Sequence, residues 1–386
     1  MVQEFLMTLI KTKYRNLNFA VLLLVLLYIT EGYFKVVLYS TGETPGLLQI
    51  SKGILLLGLG LYLVLNQPRS LAFIGLLSVS FFIGQLALSR SVSKDALIAF
   101  AKLLYPILLL LFFNSYHLSK NHKDKLFLVF EFIMLCNALV VFCGLLFDIK
   151  IFNTYLGSRF GFNGLFVSSA TSSYVYALTL IYLLAKYKED VFKNIPNLII
   201  IGSMFCVGTK VSYLFLGCFL TVYFFKYTKI NRKLIASSII GLSVFAVYVF
   251  FFKFGIFNEI RQKDGLLSSL MSYRDELFLE RTLPYIKEHW STLNYMFGGV
   301  SDLTTKSQIE FIDVFYFFGL VGGGLYYYLF FKAFLGFKME IHSAVLLSLL
   351  FIIVLLAGNF FSYPSIAIYL VILREYLKRN EQNQYT

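Results

Sequence analysis

The sequence predicts an all-α fold, a polytopic transmembrane helical bundle of about twelve spans with one long extracytoplasmic loop. Two counts and one pattern carry that expectation. Of the 386 residues 58% are hydrophobic and only 14% charged, and the charges fall between apolar runs of membrane-crossing length. Soluble domains carry about 25% charged residues. The 43 Phe and 27 Tyr also exceed what one water-surrounded core of this length hides. A helical span needs about 20 mostly apolar residues to cross about 30 Å of hydrocarbon.

The runs follow in chain order, each delimited by charge or by a break. The first, 17–38, opens after Lys11, Lys13 and Arg15 and has no small-residue cleavage site behind it, so it reads as a span and not as a signal peptide. Run 46–66 ends at Gln67-Pro68-Arg69, 70–89 fills the interval to Arg90, and 95–115 follows Lys94. Run 126–148 starts beyond Lys120, Lys123 and Lys125 and stops before Lys150. Runs 171–187 and 195–209 are separated by Lys188 and Lys193, whereas 211–227 is split from its predecessor only at Thr209–Lys210. Run 233–252 lies between Arg232 and Lys253. The last three are 310–336, 342–358 and 360–376, and the final one contains a Tyr363–Pro364 break.

Alternate loops differ sharply in charge. With the N-terminus inside, nineteen of the 34 Lys and Arg, Arg374 among them, fall on cytoplasmic segments and six (Lys35, Arg90, Lys94, Lys150, Arg159 and Lys210) on the short outer loops, the bias that retained positive charge produces. Both termini of this multi-pass protein are expected in the cytoplasm, and segment 253–309 is expected outside. The net charge of +13 is then a topological bias, for which the bilayer's anionic headgroups are sufficient partners, and no nucleic acid is implied. Cys136, Cys143, Cys206 and Cys218 all sit within spans, and no Cys/His spacing matches a metal site, so neither disulfides nor a metal nor a cofactor is expected.

No internal repeat or separate soluble domain is evident, so residues 1–386 read as one membrane domain with 253–309 as part of it. That segment is too long for a simple connection. Within it Tyr273–Arg281 reads as helical, Pro284 is placed to open a second short helix, and Phe297-Gly298-Gly299 ends it. Leu277, Phe278, Leu283, Ile286 and Trp290 give it an apolar side that can lie on the bilayer or cap the bundle.

Charges in hydrocarbon are costly, so Lys52, Lys102 and Glu131 stand out; they either line a polar cavity or form ion pairs and snorkel to an interface. On the outer side, Arg159 lies in Gly157-Ser158-Arg159-Phe160-Gly161-Phe162-Asn163-Gly164, Lys210 in Gly208-Thr209-Lys210-Val211-Ser212, and Arg274 in Ser272-Tyr273-Arg274-Asp275-Glu276. Brought together, the three make an anion site in which guanidinium forks suit phosphate; apart, each is a solvated interface charge. Glu310 and Asp313 lie one helical turn apart at the mouth of a span, as a close acid pair that can supply a general base or as partners of a loop arginine. The Gly319-Leu320-Val321-Gly322 stretch allows another helix or a lipid-linked substrate to approach closely. His289 reads as a surface side chain beside Trp290.

The order Arg159-Phe-Gly-Phe-Asn, Gly208-Thr-Lys-Val-Ser, Ser272-Tyr-Arg-Asp-Glu-Leu-Phe, Phe297-Gly-Gly, then Glu310-Phe-Ile-Asp and Gly319-x-x-Gly resembles the bacterial O-antigen polymerase and ligase family, the Wzy-type polymerases and their relatives, over about residues 50–375. The resemblance implies a glycosyltransferase-C-like enzyme, metal-independent, whose donor is a polyprenyl-diphosphate-linked oligosaccharide already on the outer leaflet. Carried to matching positions, Arg159 and Arg274 would hold the diphosphate, with Lys210 where relatives often have Arg. Ligases of the family place a histidine where this chain has Gln308, with Ile309 next, which favours a polymerase; Glu310 or Asp313 would then assist deprotonation of the acceptor. The resemblance also implies partners from polysaccharide assembly, such as a flippase and a chain-length regulator, and an O antigen, capsule or similar glycan as product. The alternatives are a ligase-type glycan transferase and, from another class, a lipid-linked oligosaccharide transporter. A transporter is expected to show paired inverted repeats and broken helices meeting near the midplane.

Overall fold

The computed structural model describes residues 18–43, 46–88, 91–155, 159–227 and 256–384, with four isolated positions, Leu234, Ser238, Gly241 and Tyr248, between them. The run expected at 233–252 lies outside the described residues. Fifteen α-helices are described: α1 Phe19–Thr41, α2 Gly46–Asn66, α3 Pro68–Ala87, α4 Lys94–Ser115, α5 Lys120–Phe147, α6 Ser169–Tyr187, α7 Ile195–Cys206, α8 Lys210–Tyr227, α9 Ile256–Met271, α10 Arg274–Leu277, α11 Leu283–His289, α12 Thr292–Phe297, α13 Glu310–Phe334, α14 Ile341–Ala357 and α15 Pro364–Gln384. Among them α1, α3, α4, α5 and α13 are long and apolar enough to cross a membrane by length and composition, and Lys52–Asn66, Ile195–Cys206 and Ile341–Ala357 are shorter apolar helices.

The caps follow from the sequence. Ser93, Ser119 and Ser168 each accept an amide of the first turn of α4, α5 and α6, and Pro68, Pro196 and Pro364 stand where a helix start needs no amide donor. Helix α5 begins at Lys120, six residues before the apolar run, because a serine-capped first turn tolerates lysines that reach water. Three helices form the axis. Every side chain from Thr171 to Ala185 of α6 is buried, as are Ser365–Glu375 of α15 and most of α4. The remaining helices turn apolar sides outward, with Leu57, Leu65, Leu128, Leu146 and Phe147 among the exposed residues, as a lipid-facing surface requires.

The two ends of the bundle differ. At one, Asn18 donates to the His122 carbonyl, Lys123 pairs with Glu375 at 2.8 Å, Arg379 pairs with Asp124, and Lys226 and Lys188 both reach Glu340. At the same end Arg374, one of the cations expected on the cytoplasmic side, is buried against Glu375 at 2.8 Å, because α15 continues through the base of the bundle. The other end carries the last turns of α1, α3, α5, α7 and α14 and the first turns of α2, α4, α6, α8, α13 and α15, tied by bonds such as Lys52 to Ser365 and Asn294 to the Gly84 carbonyl. Residues 256–309 cover this end.

That covering segment is mostly helical. Helix α9 is broken at Gly265 (φ 94°, ψ 173°), and Ser269 Oγ returns to the Phe257 carbonyl at 2.6 Å. Between α10 and α11 the chain makes a π-helical turn over Phe278–Thr282, just ahead of Pro284, whose missing amide leaves the carbonyl four residues before it without its usual donor. Helix α12 then packs on α3 and α13 through bare backbone. A Cβ on Gly298 would meet Phe317 and Phe318, one on Gly319 would meet Met296 and Phe297, and one on Gly84 would meet the Phe297 and Gly298 carbonyls. Gly319 itself is left-handed (φ 66°) and breaks α13. The close approach that Gly319-x-x-Gly permits is therefore that of α12, with Gly322 admitting Ser80 of α3.

Candidate functional site

Arg159 and Lys210 meet because their motifs exchange glycines. The chain after α5 forms a tight hairpin, with Asn153 and Phe162 bridged, Thr154 bonded to Gly161 at 2.8 Å, and Phe162 donating to the Cys206 carbonyl at the end of α7. Gly208, at φ 74°, lies so close to Phe160 and Gly161 that any side chain there would displace them. Both basic side chains then reach Phe257 of α9: the Arg159 guanidinium sits 4.9 Å and the Lys210 ammonium 3.8 Å from its ring centre. Arg159 also stacks on Tyr155 at 4.0 Å. Such contacts contribute about 0.5–2 kcal/mol each and orient the cation.

Lys210 fixes the third cation. Its ammonium donates to the carbonyls of Ser269 and Leu270 (the latter at 3.1 Å) and to Ser272 Oγ at 3.0 Å, which ties down the turn that opens α10. Ser272 (φ 56°) and Tyr273 (φ 66°) in that turn are both left-handed, a costly conformation for non-glycine residues, and the next residue is Arg274. Arg274 donates weakly to the Met271 carbonyl at 3.4 Å, and its Nε is buried without a partner among the described residues. Burial pushes the Arg274 guanidinium below its ordinary range, while Tyr174, Asp313, Tyr155 and Glu310 act in the opposite sense. The charges of both Arg159 and Arg274 act on Lys210. All three sequence-predicted cations thus share one end of the bundle.

The acid pair lies beside them, already engaged. Glu310, 3% exposed, accepts the Phe361 amide at 3.0 Å on one oxygen and the Phe360 amide at 3.1 Å on the other, so it anchors the turn between α14 and α15. Tyr174 holds the same turn by donating to the Gly358 carbonyl at 2.6 Å. Asp313 is half-buried, and its Oδ1 accepts the amide and hydroxyl of Ser307 at 3.0 and 2.9 Å. Among the described residues neither acid forms an ion pair with Arg274, the alternative that the sequence left open.

Next to this group is a cavity of about 630 Å³, lined by Glu31, Lys52, Lys102, Tyr105, Thr171, Lys306, Asn359 and Tyr363 together with apolar side chains such as Phe34, Leu56 and Ile98. Lys102 therefore takes the polar-cavity reading, while Lys52 lines the cavity and also pairs with Glu31 at 3.9 Å. Glu131 takes the other: it pairs with Lys186 and accepts from Tyr182 at 2.6 Å and Tyr187 at 3.0 Å, away from the cavity. His289 is exposed and stacked on Tyr285 at 4.5 Å.

No protein-family model, curated protein sequence or solved structure matches the chain.

Sequence reasoning missed Glu31, Lys35 and Lys306. Lys35, read as part of an outer loop, is buried in α1 and donates to Asn163 Oδ1 and to the Gly164 carbonyl at 2.6 Å. The signal was present: Glu31 and Lys35 stand one turn apart inside an apolar run, so one helix face carries both charges into the bundle. Lys306 gave no such signal, because a loop lysine reveals nothing until its loop is placed.

Proposed function

We propose that the protein is a polysaccharide polymerase, a metal-independent glycosyltransferase that moves a polyprenyl-diphosphate-linked glycan onto a second lipid-linked repeat unit at the outer face of a bacterial inner membrane. The observation that carries the reading is the meeting of Arg159, Lys210 and Arg274, distant in sequence, at one end of the helical bundle. As the bond between sugar and diphosphate breaks, negative charge concentrates on the leaving group, and fixed cations in a poorly hydrated cleft stabilise it. Arg274, whose buried Nε lacks a partner among the described residues, is the cation best able to bind the departing phosphate. Asp313, the less enclosed of the two acids, would accept the proton of the attacking hydroxyl, and Glu310 would hold the site's floor. In this reading the chain crosses the membrane about twelve times with both termini cytoplasmic, and the lysine-rich end faces the cytoplasm.

The test is reconstitution. Purified protein in nanodiscs, supplied only with lipid-linked repeat units, should build a ladder of products, and Arg274→Ala should abolish it. A ladder that requires a separate acceptor would make the protein a ligase. In cells, repeat units accumulating on the cytoplasmic leaflet of the Arg274→Ala strain would refute transfer and indicate transport.

A further inference from the structure

The cavity beside the acid pair carries an excess of positive charge. Its wall holds three ammonium groups, Lys52 from α2, Lys102 from α4 and Lys306 from the loop before α13, against one carboxylate, Glu31 of α1. Glu31 is already shared, since Ser365 donates to it and Lys52 lies 3.9 Å away while itself donating to Ser365 at 3.1 Å. Among the described residues Lys102 and Lys306 have no carboxylate at ion-pair distance, and their charges repel one another. Glu310 and Asp313 attract Lys306 only from farther away. Between apolar walls water screens such charges weakly, and two like charges with no carboxylate in contact are held at a cost. Asn359, at φ 62°, presents a further strained position to the same space, and Thr171, Ser362 and Tyr363 are polar residues on its wall.

The excess of two positive charges matches a phosphate group, which carries about −1.5 to −2 near neutral pH, better than it matches a carboxylate. Lysine ammoniums suit such a group as point charges. The apolar part of the wall, Phe34, Ile50, Leu56, Ile98 and Val167, suits a hydrocarbon chain attached to it. We propose that this cavity is a second phosphate-binding site, separate from the Arg159, Lys210 and Arg274 cluster, which takes the phosphate or diphosphate head of a lipid. The proposal does not depend on sugar transfer.

Native mass spectrometry of the full chain in neutral-lipid nanodiscs, titrated with a short polyprenyl diphosphate or with inorganic diphosphate, tests it. Two lipids should bind the unaltered protein, one being lost in Lys102→Met/Lys306→Met and a different one in Arg274→Ala. Each ammonium removed should weaken the cavity ligand about tenfold, and Lys102→Arg should retain it. Ile98→Trp, which fills the cavity and leaves the charges in place, should lose the same lipid even where the double variant folds poorly. Lipid binding at least tenfold tighter than inorganic diphosphate supports a lipid head, and equal binding refutes that part of the proposal. Full lipid stoichiometry and affinity in both the double lysine variant and Ile98→Trp would overturn the cavity site, whatever the outcome for transfer.

Discussion

Replacing Glu310 separates an anchoring carboxylate from a reacting one. Its two oxygens each accept one backbone amide, Phe361 at 3.0 Å and Phe360 at 3.1 Å, and the carboxylate is 3% exposed. Glu310→Ala leaves both amides buried without acceptors, and bonds to a charged group contribute about 1.5–3 kcal/mol each, so the loss is about 3–6 kcal/mol. Glu310→Gln keeps one oxygen and turns an NH2 toward the other amide, so it should lose about half as much, with one donor stranded. Asp313→Asn keeps the oxygen that Ser307 uses and should melt within about 1 kcal/mol of the parent. Thermal unfolding of detergent-purified protein, followed by intrinsic fluorescence, should rank the parent and Asp313→Asn together, then Glu310→Gln, then Glu310→Ala. In the transfer assay Asp313→Asn should lose activity without losing stability. A Glu310→Ala protein that unfolds with the parent would refute the anchoring argument.

Gly319→Ala should destabilise by about 1–3 kcal/mol or more, because the backbone is left-handed and α12 occupies the space, whereas Gly324→Ala, with nothing within 4 Å, should be neutral or stabilising; the same melting assay reads both. Glu131→Gln should leave lipid binding and transfer unchanged and lower the melting temperature modestly, since a partly exposed pair with Lys186 contributes little and the amide oxygen still accepts from a tyrosine hydroxyl; loss of transfer in a folded Glu131→Gln protein would contradict this. Arg159→Lys should weaken diphosphate binding about tenfold by isothermal titration, because an ammonium lacks the planar fork and stacks less well on Tyr155, and an unchanged affinity would exclude Arg159 from the site.

Most described helices within the apolar runs were legible in the sequence to within a few residues, whereas α5 begins six residues before its run and α15 extends eight residues beyond its run. The apolar runs 171–187 and 342–358 correspond to Ser169–Tyr187 and Ile341–Ala357, because burial in lipid or bundle demands an unbroken apolar stretch whatever the packing. The Tyr363–Pro364 break was legible for a different reason: proline opens α15, and the residues before it form the turn that Glu310 holds. Candidate site residues could be nominated from charge in unusual company, but their meeting could not. It depends on Gly208 seating against Gly161 and on Lys210 reaching the 269–272 turn, contacts that join segments with no shared pattern. Lys35 was counted with an outer loop although it falls inside run 17–38, and Arg374 with the cytoplasmic charges although it falls inside run 360–376, because sequence alone assigns an isolated cation to water; buried polar partners hold both inside the bundle.

The buried ammonium of Lys35 gives the first helix leverage over a surface it does not reach. It holds Asn163 and Gly164 together with the bond from the Asn163 amide to the Phe152 carbonyl at 2.9 Å, Asn137 Oδ1 accepts the neighbouring Leu165 amide at 2.9 Å, and Arg159 lies only four residues upstream. A shift of α1 along its axis would drag the hairpin with it and retune the angle at which Arg159 leans on Phe257. The pose of a rim cation is thus set from deep within the scaffold, by a side chain that belongs to α1.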